Sequence, residues 1–366
     1  MDEKLEQLQA EIEEARRKIR TDVLSMSIGE ILNKLENDEI ILNPKFQRYF
    51  RWTEKQKSDL IESIFMALPI PPIFVFSNNQ GKWEVIDGLQ RLTTINKFYK
   101  NEFALTDCSY IKLGKNLFYK DLSDKQKLLI KNKRLDFVIL DETSDGNAKY
   151  DMFNRLNTGG SGLSDQEVRN CIMIMKNEKF FDWFKSLEDN EDFRLTITEQ
   201  FSGRQIEEQK DLELILKFLA IRNIKDSQIS FNDSKEFLDK QAIEMCDNIE
   251  YNKELNKQAF NDTFTLLYNS LGEKAFKRYN YEKNDFVGPI NFFIYEFLIS
   301  GIGTNILEWN EDTKNNIKIN LKDKLINLYN TEKFNKLNKI GNTVSIRLKN
   351  AIDYSKEIFD RNGFKK

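Results

Sequence analysis

The run Ile86-Asp87-Gly88-Leu89-Gln90-Arg91 places a carboxylate, a glycine, an amide and a guanidinium within five consecutive positions. A short apolar stretch, Trp83 to Ile86, leads into it, and a helical pattern from Leu89 to Lys100 leads out. The first turn of a helix carries unsatisfied backbone N–H groups and the positive end of the dipole, so a strand-turn-helix of this kind is a ready anion site. At 100° per residue, Leu92, Ile95, Phe98 and Tyr99 mark the inward face, with Arg91 at its edge near Phe98. A guanidinium turned toward the protein body requires an anionic partner. A structural carboxylate meets that need, and so does a ligand phosphate gripped by the planar fork. A plainer reading uses the same residues. Asp87 as N-cap with Gln90 three positions on is the D-x-x-Q pattern of a capping box.

Two further segments offer phosphate chemistry. In Phe46-Gln47-Arg48-Tyr49-Phe50-Arg51-Trp52, arginines interleave with aromatic rings, a pattern that can hold a phosphate and stack a base. A half-buried edge segment with its arginines reaching out to solvent has the same pattern. In Phe153-Asn154-Arg155-Leu156-Asn157-Thr158-Gly159-Gly160-Ser161-Gly162, a glycine-rich loop precedes the helix opened by Ser164. Such a loop can cradle phosphate, but it lacks the Gly-Lys-Ser/Thr ending of a Walker A loop. A helix C-cap followed by a new N-cap accounts for the glycines equally well.

What is missing narrows the chemistry. The 366 residues contain no histidine, which removes Ser-His and Cys-His dyads and histidine-dependent metal nuclease sites. Cys108, Cys171 and Cys246 share no metal or redox spacing, and an odd count without a secretory h-region is expected of reduced thiols in a cytoplasm. The net charge of −3 leaves nucleic-acid contact to a local patch rather than a whole-chain field. Hydrophobic residues make up 40% and charged residues 31%, a balance fit for a folded core. The most apolar window, Val287 to Ile302, is broken by Pro289, Asn291, Glu296 and glycines. It reads as a buried helix rather than a membrane span.

The elements that position these residues follow from caps and periodicity. Residues 1–20, with Leu5, Leu8, Ile12, Ala15 and Ile19 at helical spacing, form a charged amphipathic helix suited to a peripheral arm or to self-association. A helix follows Ser27, and Ile40 to Leu42 is a short strand. Thr53 with Gln56 caps a helix running to about Leu68, which Pro69, Pro71 and Pro72 end. Ile73 to Phe76 and Trp83 to Ile86 form a hairpin around Asn78-Asn79-Gln80-Gly81. Ser123 with Gln126 caps another helix, Leu135 to Leu140 is a strand, Gly146 to Asn157 is helical, and Ser164 with Glu167 caps the helix after the glycine loop. Beyond it the pattern is helical, at about 177–190, 207–224, 233–249, 253–271, 284–302, 313–330 and 343–360.

Taken in order, Pro44-Lys45-Phe46-Gln47-Arg48 with Trp52, then Ile86 to Thr94, then Phe153 to Gly160 with Leu163-Ser164 and Glu167-Val168-Arg169-Asn170 resemble the N-terminal domain of GmrSD-type, modification-dependent restriction systems. The resemblance spans roughly residues 25–172. It implies a ParB/sulfiredoxin-like fold that binds and hydrolyses a nucleoside triphosphate with Mg²⁺. On that basis Asp87, Gln90 and Arg91 are catalytic: Gln90 orients water, Arg91 clamps phosphate with Arg48, and Asp87 holds the metal or the loop. Gln47, Arg48, Arg51, Gly88, Thr94, Arg155, Asn157, Thr158 and Gly159 are its nucleotide-binding residues. Leu89 stands where the family's commonest motif has Gln, but its side chain should point off the pocket. Fused relatives carry a C-terminal HNH nuclease, whose base and ligands are histidines, so these residues cannot contain one.

The expected architecture is therefore α+β. After the helix of residues 1–20 come a small mixed α/β nucleotide-binding domain at 21–175 and a helical domain at 176–366. The expected function is a nucleotide-driven sensor or switch in defence against foreign DNA, with a separate nuclease subunit as partner. Self-association is open, and no membrane contact is expected. Two rivals stand beside it. One is a non-catalytic ParB-like DNA-binding module. The other is a metal-dependent nuclease built on carboxylates alone, such as Asp141 and Glu142.

Overall fold

The structure is a computed structural model and describes all residues except 1, 19, 43–51, 142–151, 153–155, 157–163, 225–233, 339–342 and 366. The chain forms two compact units, Met1–Gly162 and Leu163–Lys366. The first contains α1 (Asp2–Lys18), β1 (Thr21–Ser27), α2 (Ile28–Glu36), β2 (Ile40–Ile41), α3 (Glu54–Phe65), β3 (Ile73–Ser77), β4 (Trp83–Asp87), α4 (Leu89–Tyr99), α5 (Asp124–Asn132) and β5 (Arg134–Leu140). The helix expected over Gly146 to Asn157 lies almost wholly outside the described residues.

Serine and threonine caps set the helix starts. Ser27 with Glu30, Thr53 with Gln56, and Ser123 with Gln126 each close a reciprocal capping box, satisfying donors that the first turn leaves over. Helix α3 stops earlier than its pattern suggested: the chain leaves it at Met66, and Ala67 takes a positive φ of 57°. The five strands make one mixed sheet in the order β1-β5-β3-β4-β2. Strand β3 runs antiparallel to β4 and parallel to β5. Ile31, Ile61, Ile73, Val75, Leu92 and Phe137 form the centre of its core.

Strand β1 is absent from the sequence-based reading. It pairs with β5 over seven residues, Thr21 opposite Leu140 through Ser27 opposite Arg134, and it is an edge strand whose Val23 and Leu24 stay exposed. Its residues lack the alternation of a half-buried strand, so the pairing is specified by β5 rather than by local pattern.

Among its described residues the second unit is helical apart from two short hairpins. It comprises α6 (Asp165–Ser186), α7 (Glu191–Thr196), α8 (Gly203–Glu207), α9 (Lys210–Asn223), α10 (Ser234–Asp247), α11 (Lys253–Leu271), β6 (Arg278–Asn280), β7 (Asp285–Val287), α12 (Phe292–Leu298), α13 (Glu311–Tyr329), α14 (Glu332–Leu337), α15 (Val344–Ile358), β8 (Phe359–Asp360) and β9 (Gly363–Phe364). The helix expected over 284–302 is a correction. Its first residues are β7, Gly288 turns the chain at a positive φ, and helix begins only at Phe292, capped by Asn291. The same stretch then widens into a π turn, Ile299–Gly303. There Gly301 and Gly303 leave room for the rings of Phe359 and Phe218, which an added Cβ would strike. Among the described residues no helix is long and apolar enough to cross a membrane.

The interior of this unit also holds charge. Glu296, fully buried on α12, accepts two hydrogen bonds from Arg347 on α15 at 2.9 and 2.8 Å and one from Lys217 on α9 at 3.3 Å. Three helices are thereby joined at one carboxylate.

Candidate functional site

Strand β4 meets β3 in regular register from Ser77–Trp83 to Val75–Val85, and then the pairing slips so that Phe74 faces Asp87. Ile86 is the extra residue of this bulge. A strict alternation would turn one of Val85 and Ile86 outward, yet both are buried. The bulge resets the parity and re-aims Asp87, as bulges beside functional sites commonly do.

Gly88 then turns the chain into α4 with φ 94° and ψ 10°, left-handed values that favour glycine. The space is as restrictive as the dihedral. A Cβ here would lie 2.4 Å from Cδ1 of Ile73. Gly88, not Asp87, is the N-cap residue, and it has no side chain with which to cap the helix. The capping-box alternative for Asp87 and Gln90 is therefore not what forms, because Asp87 is still part of β4 and its carboxylate has another partner.

That partner is Arg91. Its Nη2 donates to Asp87 Oδ2 at 2.6 Å, and its Nη1 donates to the carbonyls of Pro71 and Pro72, the latter at 3.0 Å. The guanidinium thus ties the approach to β3, the end of β4 and the first turn of α4 together. The Arg91 side chain is 12% exposed and that of Asp87 29%. Burial pulls the Arg91 pKa below its ordinary value, and the adjacent Asp87 works against that pull. The inward turn of Arg91 expected from the helical wheel is what forms. The prolines, read only as helix terminators, also supply its carbonyl acceptors, and nothing in their type announced that.

Gln90, half-buried with its Oε1 enclosed, stands in the first turn of α4. Thr94 is fully buried on the helix's inner face, and its hydroxyl makes no hydrogen bond among the described residues. Asp87, Gly88, Gln90 and Arg91 are brought together at one corner. Gln47, Arg48, Arg51, Arg155, Asn157, Thr158 and Gly159 lie outside the described residues, as does Glu142.

Among the described residues the corner offers a divalent ion one carboxylate, already facing a guanidinium. Mg²⁺ binding usually draws on one or two carboxylates and then on substrate phosphates, so these residues do not fit a resident ion. Among the described residues no group of three or more Cys, Asp or Glu side chains converges as a metal site.

Comparison with known proteins bears on this same segment. Residues 28–174 match the family model described as the GmrSD restriction endonuclease, N-terminal domain. This segment is similar to a GmrSD N-terminal domain. The match holds α2, the whole β3–β4–α4 corner, β5 and the capped start of α6, while the rest of the helical unit lies beyond it. No curated protein and no solved structure matches the chain.

Proposed function

We propose that the GmrSD-like segment of this chain binds a nucleoside triphosphate at the Asp87–Arg91 corner and hydrolyses it as the switch of a restriction-type defence system. The observation that carries the reading is the left-handed Gly88, which starts α4 without a side chain to cap it, beside a buried guanidinium. First-turn N–H groups and the helix dipole favour a phosphate. Hydrolysis then needs a water held in line with the phosphoryl group, with the P–O bond to the leaving diphosphate breaking as the water oxygen bonds to phosphorus. Gln90, in the same turn, is the residue for that task. Arg91 supports the corner through Asp87, Pro71 and Pro72 and lends its positive field from behind it. Mg²⁺ arrives as the nucleotide's own counter-ion. A nuclease of the HNH type has no place within these 366 residues, which include no histidine, so cleavage falls to a nuclease outside them.

The test measures phosphate release and melting temperature with ATP, GTP, CTP and UTP, each with and without Mg²⁺. One nucleotide should raise the melting temperature, since a ligand stabilises the state it binds. Gln90→Ala should lose turnover while melting within about 2 °C of wild type. If no nucleotide at millimolar concentration shifts the melt or releases phosphate, the switch reading is wrong.

A further inference from the structure

Away from the Asp87 corner, at the other end of α4, the first unit carries a second feature. Tyr99, Tyr119, Lys120, Asp124, Lys127 and Lys131 line an open groove of about 670 Å³. Its charge is concentrated rather than average. Residues 99–134 hold nine Lys and Arg against four Asp and Glu, a net of +5 in a chain whose total is −3. The ammonium groups are held in place. Lys127 donates to the Lys120 carbonyl at 3.1 Å and lies 5.9 Å from the centre of the Tyr119 ring, while Lys131 lies 5.6 Å from that of Tyr99. The two rings meet edge-on at 5.2 Å. The Lys120 ammonium lies 5.4 Å from the centre of the Phe118 ring, and its backbone is fixed by an N–H donated to Asn101 Oδ1 at 2.6 Å.

Tyr119 lends its ring to this surface, while its hydroxyl is enclosed. The residue is 7% exposed, and its hydroxyl makes no hydrogen bond among the described residues. Burial and the neighbouring Tyr99 raise its pKa, so the phenol stays uncharged at neutral pH.

We propose that this groove is a nucleic-acid contact that takes a phosphodiester backbone, with Lys120, Lys127 and Lys131 as counter-charges and the Tyr99 and Tyr119 rings as its wall. Three ammonium groups against one carboxylate suit a run of phosphates, and the groove is open at its surface, as a long polymer requires. Nothing in it is shaped to read base edges, so the contact positions DNA without selecting sequence. The proposal is independent of nucleotide turnover at the Asp87 corner, and its test contains no nucleoside triphosphate.

The experiment follows fluorescence anisotropy of a labelled 20-base-pair DNA duplex against the full chain over a series of salt concentrations. Wild type should bind with an affinity that falls steeply as salt rises. The combined Lys120→Gln, Lys127→Gln, Lys131→Gln variant should bind roughly tenfold or more weakly at low salt and reduce the salt slope by about 2 to 3. Tyr119→Phe, which removes an enclosed hydroxyl and no charge, should leave both affinity and slope unchanged. Leu128→Glu alters a side chain that lines the groove and is 55% exposed. It should also weaken binding, and it keeps the test alive if the triple variant does not fold. Inorganic pyrophosphate at constant ionic strength should not displace the duplex. Absence of binding by wild type at low salt, an unchanged slope in the triple variant, or displacement by pyrophosphate would each overturn the proposal.

Discussion

Arg91 donates from Nη2 to Asp87 Oδ2 at 2.6 Å across the single left-handed residue that separates β4 from α4. The two residues are four apart, the spacing of neighbours on a helix face, yet Asp87 sits at the end of a strand. The bulge at Ile86 and the turn at Gly88 bring a strand residue to where a helical partner would stand. The arginine of the motif therefore has an architectural task whatever it does for a ligand, and substitutions at the corner must be chosen with that in mind.

Arg91→Ala is expected to lower the stability of the first unit by about 2–4 kcal/mol, because it strands a partly buried carboxylate and removes the donors to Pro71 and Pro72. Arg91→Lys should recover only part of the loss, since a point charge on a flexible stem cannot reach three acceptors as the guanidinium fork does. Urea denaturation of the three proteins measures this. An Arg91→Ala midpoint equal to that of wild type would mean that the contacts contribute nothing.

Gly88→Ala should be destabilising through two separable causes, the positive φ and the approach to Ile73 Cδ1 at 2.4 Å. Adding Ile73→Val removes that carbon and should return part of the lost stability, while the backbone strain, of order 1–2 kcal/mol, persists. A double-mutant cycle reads the coupling directly. Additive effects would locate the whole cost in the backbone.

The corner and the capped helices were legible because their signals are local. Ser27, Thr53, Ser123 and Ser164 each announce a helix within four residues, and Asn78 to Gly81 announces a hairpin. Arg91 could be turned inward on a helical wheel, but its carbonyl acceptors could not be named. Pro71 and Pro72 reach it only because β3 and β4 pair. Strand β1 was hidden for a related reason, since it depends on β5, more than a hundred residues away. In the second unit, Val287 to Ile302 looked like one helix because hydrophobicity alone does not register the left-handed turn at Gly288.

The three thiols should be inert in the native protein. Cys108, Cys171 and Cys246 are all buried and free, and burial pushes each thiol up, that of Cys246 to about 12. Because the thiolate is the reactive form, a disulfide-exchange reagent at pH 8 should label none within minutes and all three in denaturant. Rapid native labelling would show that one of these helices opens readily.

Acid should act on the helical unit through Glu213. Burial by itself would raise this carboxyl, but Lys217 at 3.1 Å and Lys210 at 2.7 Å hold it down at about 2. The folded pKa lies below the ordinary value of 4.5, so the unfolded chain takes up a proton that the folded one refuses. The resulting stability is fully present above pH 4.5 and drains away as pH falls toward 2, amounting to about 3 kcal/mol at most. Other carboxylates titrate in the same range, so the informative quantity is the difference between wild type and Glu213→Gln. At pH 6 the variant should be less stable by a few kcal/mol, because Lys217 keeps only Glu296 and Lys210 loses its partner. As pH drops from 5 toward 3 that gap should narrow, since the unfolded wild-type chain gains a proton at Glu213 that the folded one still refuses. Urea midpoints of both proteins across this window decide the matter. A gap independent of pH would mean that Glu213 titrates normally and that its lysine contacts do not hold it ionised.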